Sequence, residues 1–190
     1  MDIEFHYYIT YLTALKSGFN RNNAEIIATS AQLVDDNVEV NLIENHKREI
    51  YKTYISQTAN ILKPREELFR IYPIFHFIPG DPFAFSAKRK DGIMHHLNTT
   101  PDNKNARLLM EKALDSNNSY RIGIAVHAYT DTWAHQNFIG YYSSFNGLSG
   151  VLEKVTPNIG HADAKHAPDL ISNVWVDERL VSEKQVVDNN

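Results

Sequence analysis

His127, Asp131 and His135 fall at four-residue intervals in the segment Gly123-Ile-Ala-Val-His127-Ala-Tyr-Thr-Asp131-Thr-Trp-Ala-His135. On a helix, positions four apart differ by only about 40° around the axis, so the three share one polar stripe over two turns. Around that stripe the helix is mostly apolar, with Ile122, Ile124, Val126, Tyr129 and Trp133 on the other faces. That pattern belongs to a central, buried helix. A carboxylate buried without a partner is costly, so Asp131 calls for a cation, a hydrogen-bond network or a metal. A lone histidine on such a helix is more often a core side chain bonded to a carbonyl. An inward Asp flanked by two histidines is harder to explain that way, and points to a metal. The chain has no cysteine, so thiolate sites and disulfides are excluded, and any transition metal rests on His, Asp, Glu or backbone.

Other candidates are scattered along the chain. His76 sits in Phe75-His76-Phe77-Ile78-Pro79-Gly80-Asp81, an aromatic, proline-fixed loop able to hold a ligand rigidly. His161 and His166 occur in the polar turn Gly160-His161-Ala-Asp163-Ala-Lys165-His166, where solvent-facing histidines are the ordinary alternative. Asp35 follows Ala31 by four residues and continues the inner face of its helix, whereas Asp36 is turned away. An acid at a helix C-terminus opposes the macrodipole, so an inward Asp35 again wants a cation. His6 follows Asp2 by the same interval. His46, His95 and His96 lie in polar surroundings and read as solvent-facing.

The elements that must deliver these residues read as helices. Apolar positions Phe5, Tyr8, Ile9, Leu12 and Leu15 give a helical period from Asp2 to Lys16, closed by Gly18. A second helix fits Asn22 to about Asp36. A third is expected from about Leu42 to Leu62, stopped by Pro64. Tyr72 to Pro82, with three prolines and a glycine, reads as an ordered loop, and 83–102 as irregular. Further helices are expected over about 102–117, Ser119–Gln136 and, amphipathic, Pro168–Glu183. Residues 138–168 form a long connection, which inside a compact domain suggests function. The expected class is all-α: a single compact multi-helix bundle with long ordered loops, one metal-binding domain over 1–190.

Composition narrows the classes of function. With 190 residues, 43% hydrophobic and 22% charged, the chain suits one globular domain. A net charge of −4 leaves no electrostatic footprint for duplex nucleic acid. No stretch approaches the roughly 18 apolar residues of a membrane span. The acidic start lacks the pattern of a signal peptide, so the sequence as written reads as cytoplasmic, and as secreted only if a leader has been removed. The C-terminal Gln185-Val-Val-Asp-Asn-Asn190 fits either a true end or a truncation.

Taken in order, His6, Asp35, His76, His127-x3-Asp131-x3-His135 and His161 resemble the zinc-dependent phospholipase C and S1/P1 nuclease superfamily. The Phe75-His76-Phe77-Ile78 loop and the Gly-x3-His-x3-Asp helix are most similar to it. The opening Asp-Ile-Glu-Phe-His-Tyr-Tyr and Ser30-Ala-Gln-Leu-Val-Asp35-Asp36 look like a poorly characterised microbial branch. The resemblance implies two or three zinc ions, other divalent metals being possible, held by His6, Asp35, His76, His127, Asp131, His135 and His161. It leaves Asp2 to substitute for the N-terminal Trp ligand of those enzymes. Their later His-x3-(Glu/Asp) pair is broken here by Lys165, leaving Asp163 or His166 as replacement. It further implies hydrolysis of a small phosphoester or lipid-like phosphodiester by a metal-activated water, with Asp35 and Asp131 orienting the nucleophile. Phe75, Phe77, Phe83 and Phe85 are then either a wall for lipid or base, or simply core. The alternative is a non-catalytic helical module whose ligands tie helices together. A di-iron or His-Asp phosphohydrolase lacks support, since no His-Asp dipeptide or Glu-x-x-His pair occurs.

Overall fold

A computed structural model describes residues 2–58, 68–148 and 159–189. The opening stretch is helical, as its period predicts, but residues Glu4–Ile9 are wound as a π-helix that runs without a break into α1 (Thr10–Lys16). Such π turns recur at functional sites, and this one carries His6, which is fully buried. Gly18, at φ +94°, ends the helix. The Phe19 N–H donates to the Ala14 carbonyl across that turn, a left-handed closure that glycine adopts at little steric cost.

Asparagines start the three main helices by accepting backbone N–H groups that would otherwise be orphaned. Asn20 caps α2 (Arg21–Asp36), Asn103 caps α4 (Lys104–Asp115) and Asn118 caps α5 (Ser119–Ala134). Helix α5 lies between α2 and α4, and α1 packs on α2. Alanines line the seams: Ala24, Ala28 and Ala31 of α2, Ala106 of α4, and Ala125 and Ala128 of α5 are all buried. The closest approach is at Gly123, where an added Cβ would stand 2.3 Å from the Ile27 carbonyl oxygen and 2.6 Å from Ser30 Cβ. This bundle fixes the stripe of α5 against the inner face of α2.

Three expectations fail, so all-α describes the protein only in part: it is mostly helical, with two small sheets. Residues 42–52 form an antiparallel hairpin, β1 (Leu42–Glu44) with β2 (Ile50–Lys52), rather than the expected third helix. The Asn45 side chain accepts from the N–H groups of Lys47 and Glu49, a local turn that competes with helix. The remainder of that expected helix, residues 59–62 with Pro64, lies outside the described residues. In the segment read as a loop, α3 (Leu68–Phe75) continues to Phe75 despite Pro73, and the irregular backbone begins only beyond it. The expected helix over 168–183 is instead a set of turns leading to β3 (Val174–Val176), which pairs with β4 (Val186–Asp188). Here β-branched and aromatic residues suit a strand better than a helix. Trp175 stacks on Phe138 at 6.2 Å, and buried Arg179 joins Asp177 to the carbonyls of Asn137, Phe145 and Asn146. The C-terminal hairpin is thereby bolted to the loop after α5. Of the long connection over 138–168, residues 149–158 lie outside the described residues. Among the described residues, no helix is long and apolar enough to cross a membrane.

Candidate metal centre

Elements distant in sequence converge at the inner end of the α5 stripe. His6 comes from the π turn, Asp35 from the last turn of α2, and His76 from the residue after α3. His127 and Asp131 come from α5, and His135 caps its C-terminus. His76 is placed by α3, because its N–H and that of Phe77 both donate to the Tyr72 carbonyl. His161 precedes the short turn Ala162–Ala164.

Asp131 is the hub. Its Oδ1 lies 3.2 Å from His6 Nε2. Its Oδ2 lies 3.1 Å from His76 Nδ1 and 3.2 Å from His127 Nε2, with His135 Nδ1 at 3.5 Å. Asp35 stands opposite, 3.7 Å from both His6 and His76 and 3.8 Å from His127. The third cluster is His135, His161 and Asp169, whose Oδ1 is 3.6 Å and 3.4 Å from the two Nε2 atoms. Three groups able to hold a metal ion result: His6, His127 and Asp131; Asp35, His76 and His127; His135, His161 and Asp169.

Four histidines are oriented by the backbone. His76 Nε2 donates to the Ser56 carbonyl at 2.8 Å, and His127 Nδ1 to the Ala31 carbonyl at 2.9 Å. His135 Nδ1 donates to the His76 carbonyl at 2.6 Å, and His161 Nδ1 to the Lys165 carbonyl at 3.0 Å. A carbonyl can only accept, so each bond fixes which nitrogen carries the proton and turns the other lone pair inward. His76 Nδ1 and His127 Nε2 then face each other at 3.1 Å. His76 Nδ1 also lies 3.1 Å from Asp131 Oδ2, so a proton on Nδ1, which makes His76 an imidazolium, or a metal ion satisfies this contact. His6 has the greater need, because it is fully buried and neither ring nitrogen makes a hydrogen bond. The Asp131 oxygen 3.2 Å away does not meet its Nε2 in bonding geometry.

Electrostatics separate the groups. Burial alone would raise the Asp131 carboxyl, yet His135, His127 and His6 around it hold it well below the usual carboxylate range. Burial likewise opposes the Asp169 shift, but bonds to His135 and His161 lower it. Burial lowers His6 and His135. His76 goes the other way, because its bond to Asp131 and the charges of Asp131 and Asp35 outweigh its burial. Burial takes His127 down to about 4, from 6.5. A histidine depressed in the fold stabilises it above its unfolded pKa, and that stability is lost as the pH falls toward the folded value. Between about pH 6.5 and 4 the unfolded chain binds more protons, so stability rises with pH. Metal-free protein is therefore expected to lose about 3 kcal/mol from His127 alone across that window. Denaturant titrations at a series of pH values check this, and a flat profile would mean that His127 is not held neutral.

Asp35 and His76 of the second group and all three residues of the third line a cavity of about 400 Å³. Asp35, His76, His135, His161 and Asp169 line it together with Tyr72, Phe77, Ile159 and Leu170. Phe77 stacks on His135 with ring centroids 4.3 Å apart. Gly160, at φ +52°, lets the backbone pass against that ring, where a Cβ would come within 2.6 Å of it. Among the described residues, no lysine or arginine lines the cavity.

Other candidate residues stand apart from these groups. Asp2 lines the cavity with one buried carboxylate oxygen lacking a hydrogen-bond partner, but belongs to none of the three groups. His166 is exposed at the rim and is also outside them. The group facing His161 is Asp169, 3.4 Å away, rather than Asp163 or His166. Of the four phenylalanines considered as a wall, Phe77 alone lines this cavity. Phe75 borders a second groove, and Phe83 and Phe85 are exposed around a third. His46 and His96 are exposed as expected, whereas His95 is half-buried and meets the Tyr141 hydroxyl at 2.7 Å. Sequence reasoning misses Asp169, which follows Pro168 in a stretch that reads as the start of a helix. Its spacing of three from His166 is the one available hint.

A mostly helical body thus presents to a small cavity clustered imidazoles and carboxylates of the kind that could hold a metal ion. Over residues 1–190 the chain matches, and belongs to, a family of unknown function (DUF6765). No curated protein and no solved structure matches it.

Proposed function

We propose that the protein is a metal-dependent hydrolase of phosphoester or phosphodiester bonds, using zinc at a site of the phospholipase C and S1/P1 nuclease type. One observation carries this reading. Four histidines each give one ring N–H to a backbone carbonyl and aim the other nitrogen at neighbouring donors, the outer-shell arrangement of metal-ligating imidazoles. His6, buried with both nitrogens unbonded, fits the same demand for a cation. Nitrogen and carboxylate donors without thiolate suit zinc, though other divalent ions accept them. His6, His127 and Asp131 would hold one ion, Asp35 and His76 would take part in a second, and His135, His161 and Asp169 a third.

When bound, zinc supplies Lewis acidity and lowers the pKa of a bound water to about 7. The chain's own residues do the rest. Asp35 and Asp169 keep about a quarter of their side-chain surface open, 27% and 23%; Asp35 would orient a water, and Asp169 would hold the third ion with His135 and His161. Asp131, fully buried, holds the imidazoles in register. Phe77, Ile159 and Leu170 offer an apolar wall to the lipid or base portion of a substrate.

A second reading, a structural ion only, is favoured at one position, because His6, His127 and Asp131 are all closed to solvent. The two separate on turnover. Zinc-loaded protein is expected to hydrolyse bis-p-nitrophenyl phosphate, with His127→Ala and Asp169→Ala at background. Wild-type turnover no higher than that of His127→Ala leaves the structural reading standing.

A further inference from the structure

The β1–β2 hairpin is an arm without a cover. All six of its strand residues are exposed, with Leu42 and Ile50 at 70%, Tyr51 at 62% and Ile43 at 54%. Successive strand residues point to opposite faces, so Leu42 and Ile43 leave both sides of the arm apolar and wet. A two-stranded hairpin with neither face packed is marginal by itself, and clustered exposed apolar side chains mark an interface.

A groove of about 670 Å³ lies at the root of the arm. Its apolar floor includes Leu33, Val38, Phe75 and Ile124, with Tyr54 and Tyr120, and two acids, Asp36 and Glu39, also line it. At the apex of the arm are His46, Lys47 and Arg48, all exposed. Lys47 and Arg48 make no ion pair among the described residues. Glu44 and Glu49 stand below them, Glu49 bonded to Asn45. One end of this surface thus carries two cations at its tip above two acids, and the other is apolar with an acidic edge.

We propose that two copies of the chain exchange arms. Each lays its hairpin in the other's groove, with Lys47 and Arg48 against the partner copy's Asp36 and Glu39. A surface complementary to itself closes about a two-fold axis. From Thr53 to its apex the arm spans about 20 Å at roughly 3.3 Å per residue. Thr53 and Tyr51, at the root of the arm, line the groove, so two arms crossing beside a common axis reach each other's grooves at once. The exchange covers both faces of the hairpin and pairs its unmatched cations. It does not depend on the metal centre.

Light scattering coupled to gel filtration of the full chain tests this. A dimer is expected in the micromolar range. The double variant Lys47→Glu, Arg48→Glu should be monomeric with an unchanged circular dichroism spectrum. Adding Asp36→Lys and Glu39→Lys to the same chain should restore the dimer, since the charges are then reversed on both sides. Because the chain has no cysteine, a second measurement is clean: Arg48→Cys protein mixed with Glu39→Cys protein should oxidise to a mixed disulfide dimer. A wild-type chain that stays monomeric throughout, as one serving a membrane or an unrelated protein would, overturns the proposal. So does a dimer indifferent to charge reversal.

Discussion

Asp131→Asn is expected to strip the centre of metal, lowering zinc affinity by more than about 100-fold. Loss of a single outer-shell partner costs about 10–100-fold, and Asp131 meets four imidazoles within 3.1 to 3.5 Å. The amide is nearly isosteric, so the cavity keeps its shape. What changes is charge and bonding: the anion disappears, and an NH₂ group replaces one of two acceptors in a buried ring of nitrogens. Zinc retained against a competing chelator, measured by elemental analysis after gel filtration, reads the result. Retention equal to wild type would remove Asp131 from the centre, and with it the interpretation of the α5 stripe.

The second large effect lies one turn earlier on the same face of that helix. Gly123→Ala is expected to cost about 3 kcal/mol, the upper end for forcing a group into a packed seam. The new methyl meets a backbone carbonyl oxygen at 2.3 Å and Ser30 Cβ at 2.6 Å. Neither is the flexible tip of a side chain, so α2 and α5 have to separate. The Ala31 carbonyl that anchors His127 at 2.9 Å sits one residue beyond Ser30, so metal affinity should fall with stability. Chemical denaturation measures the first and chelator competition the second. A variant within about 0.5 kcal/mol of wild type, the range of ordinary surface changes, would mean that the two helices do not meet as closely as described.

Helices α2, α4 and α5 are legible in the sequence from their helical pattern of apolar positions, while the asparagines that cap them emerge only in the structure. That same period puts His127, Asp131 and His135 on one stripe, and Asp35 on the face of α2 that meets it. The two hairpins are not legible by the same means. Leu42, Ile43, Ile50 and Tyr51 can be fitted to either period in so short a run, and the Asn45 turn decides between them. Asp169 escapes for a different reason. No periodicity joins it to His135 or His161, and tertiary folding of an irregular stretch alone brings it there. The carbonyls of Ala31, Ser56 and Lys165 are invisible in principle, since every residue has one and side-chain identity says nothing of where it points.

That no lysine or arginine lines the cavity among the described residues has a consequence for the order of events. Among the described residues its ionisable lining is carboxylate, imidazole and tyrosine, so in the metal-free pocket carboxylates repel an anion and an imidazolium such as His76 is the one group there to attract it. Under the proposed chemistry, attraction for a phosphate group arrives with the cations themselves. Loading would then be sequential, ion first and substrate second, and the vacant protein would be a sink for cations instead of a weak version of the enzyme.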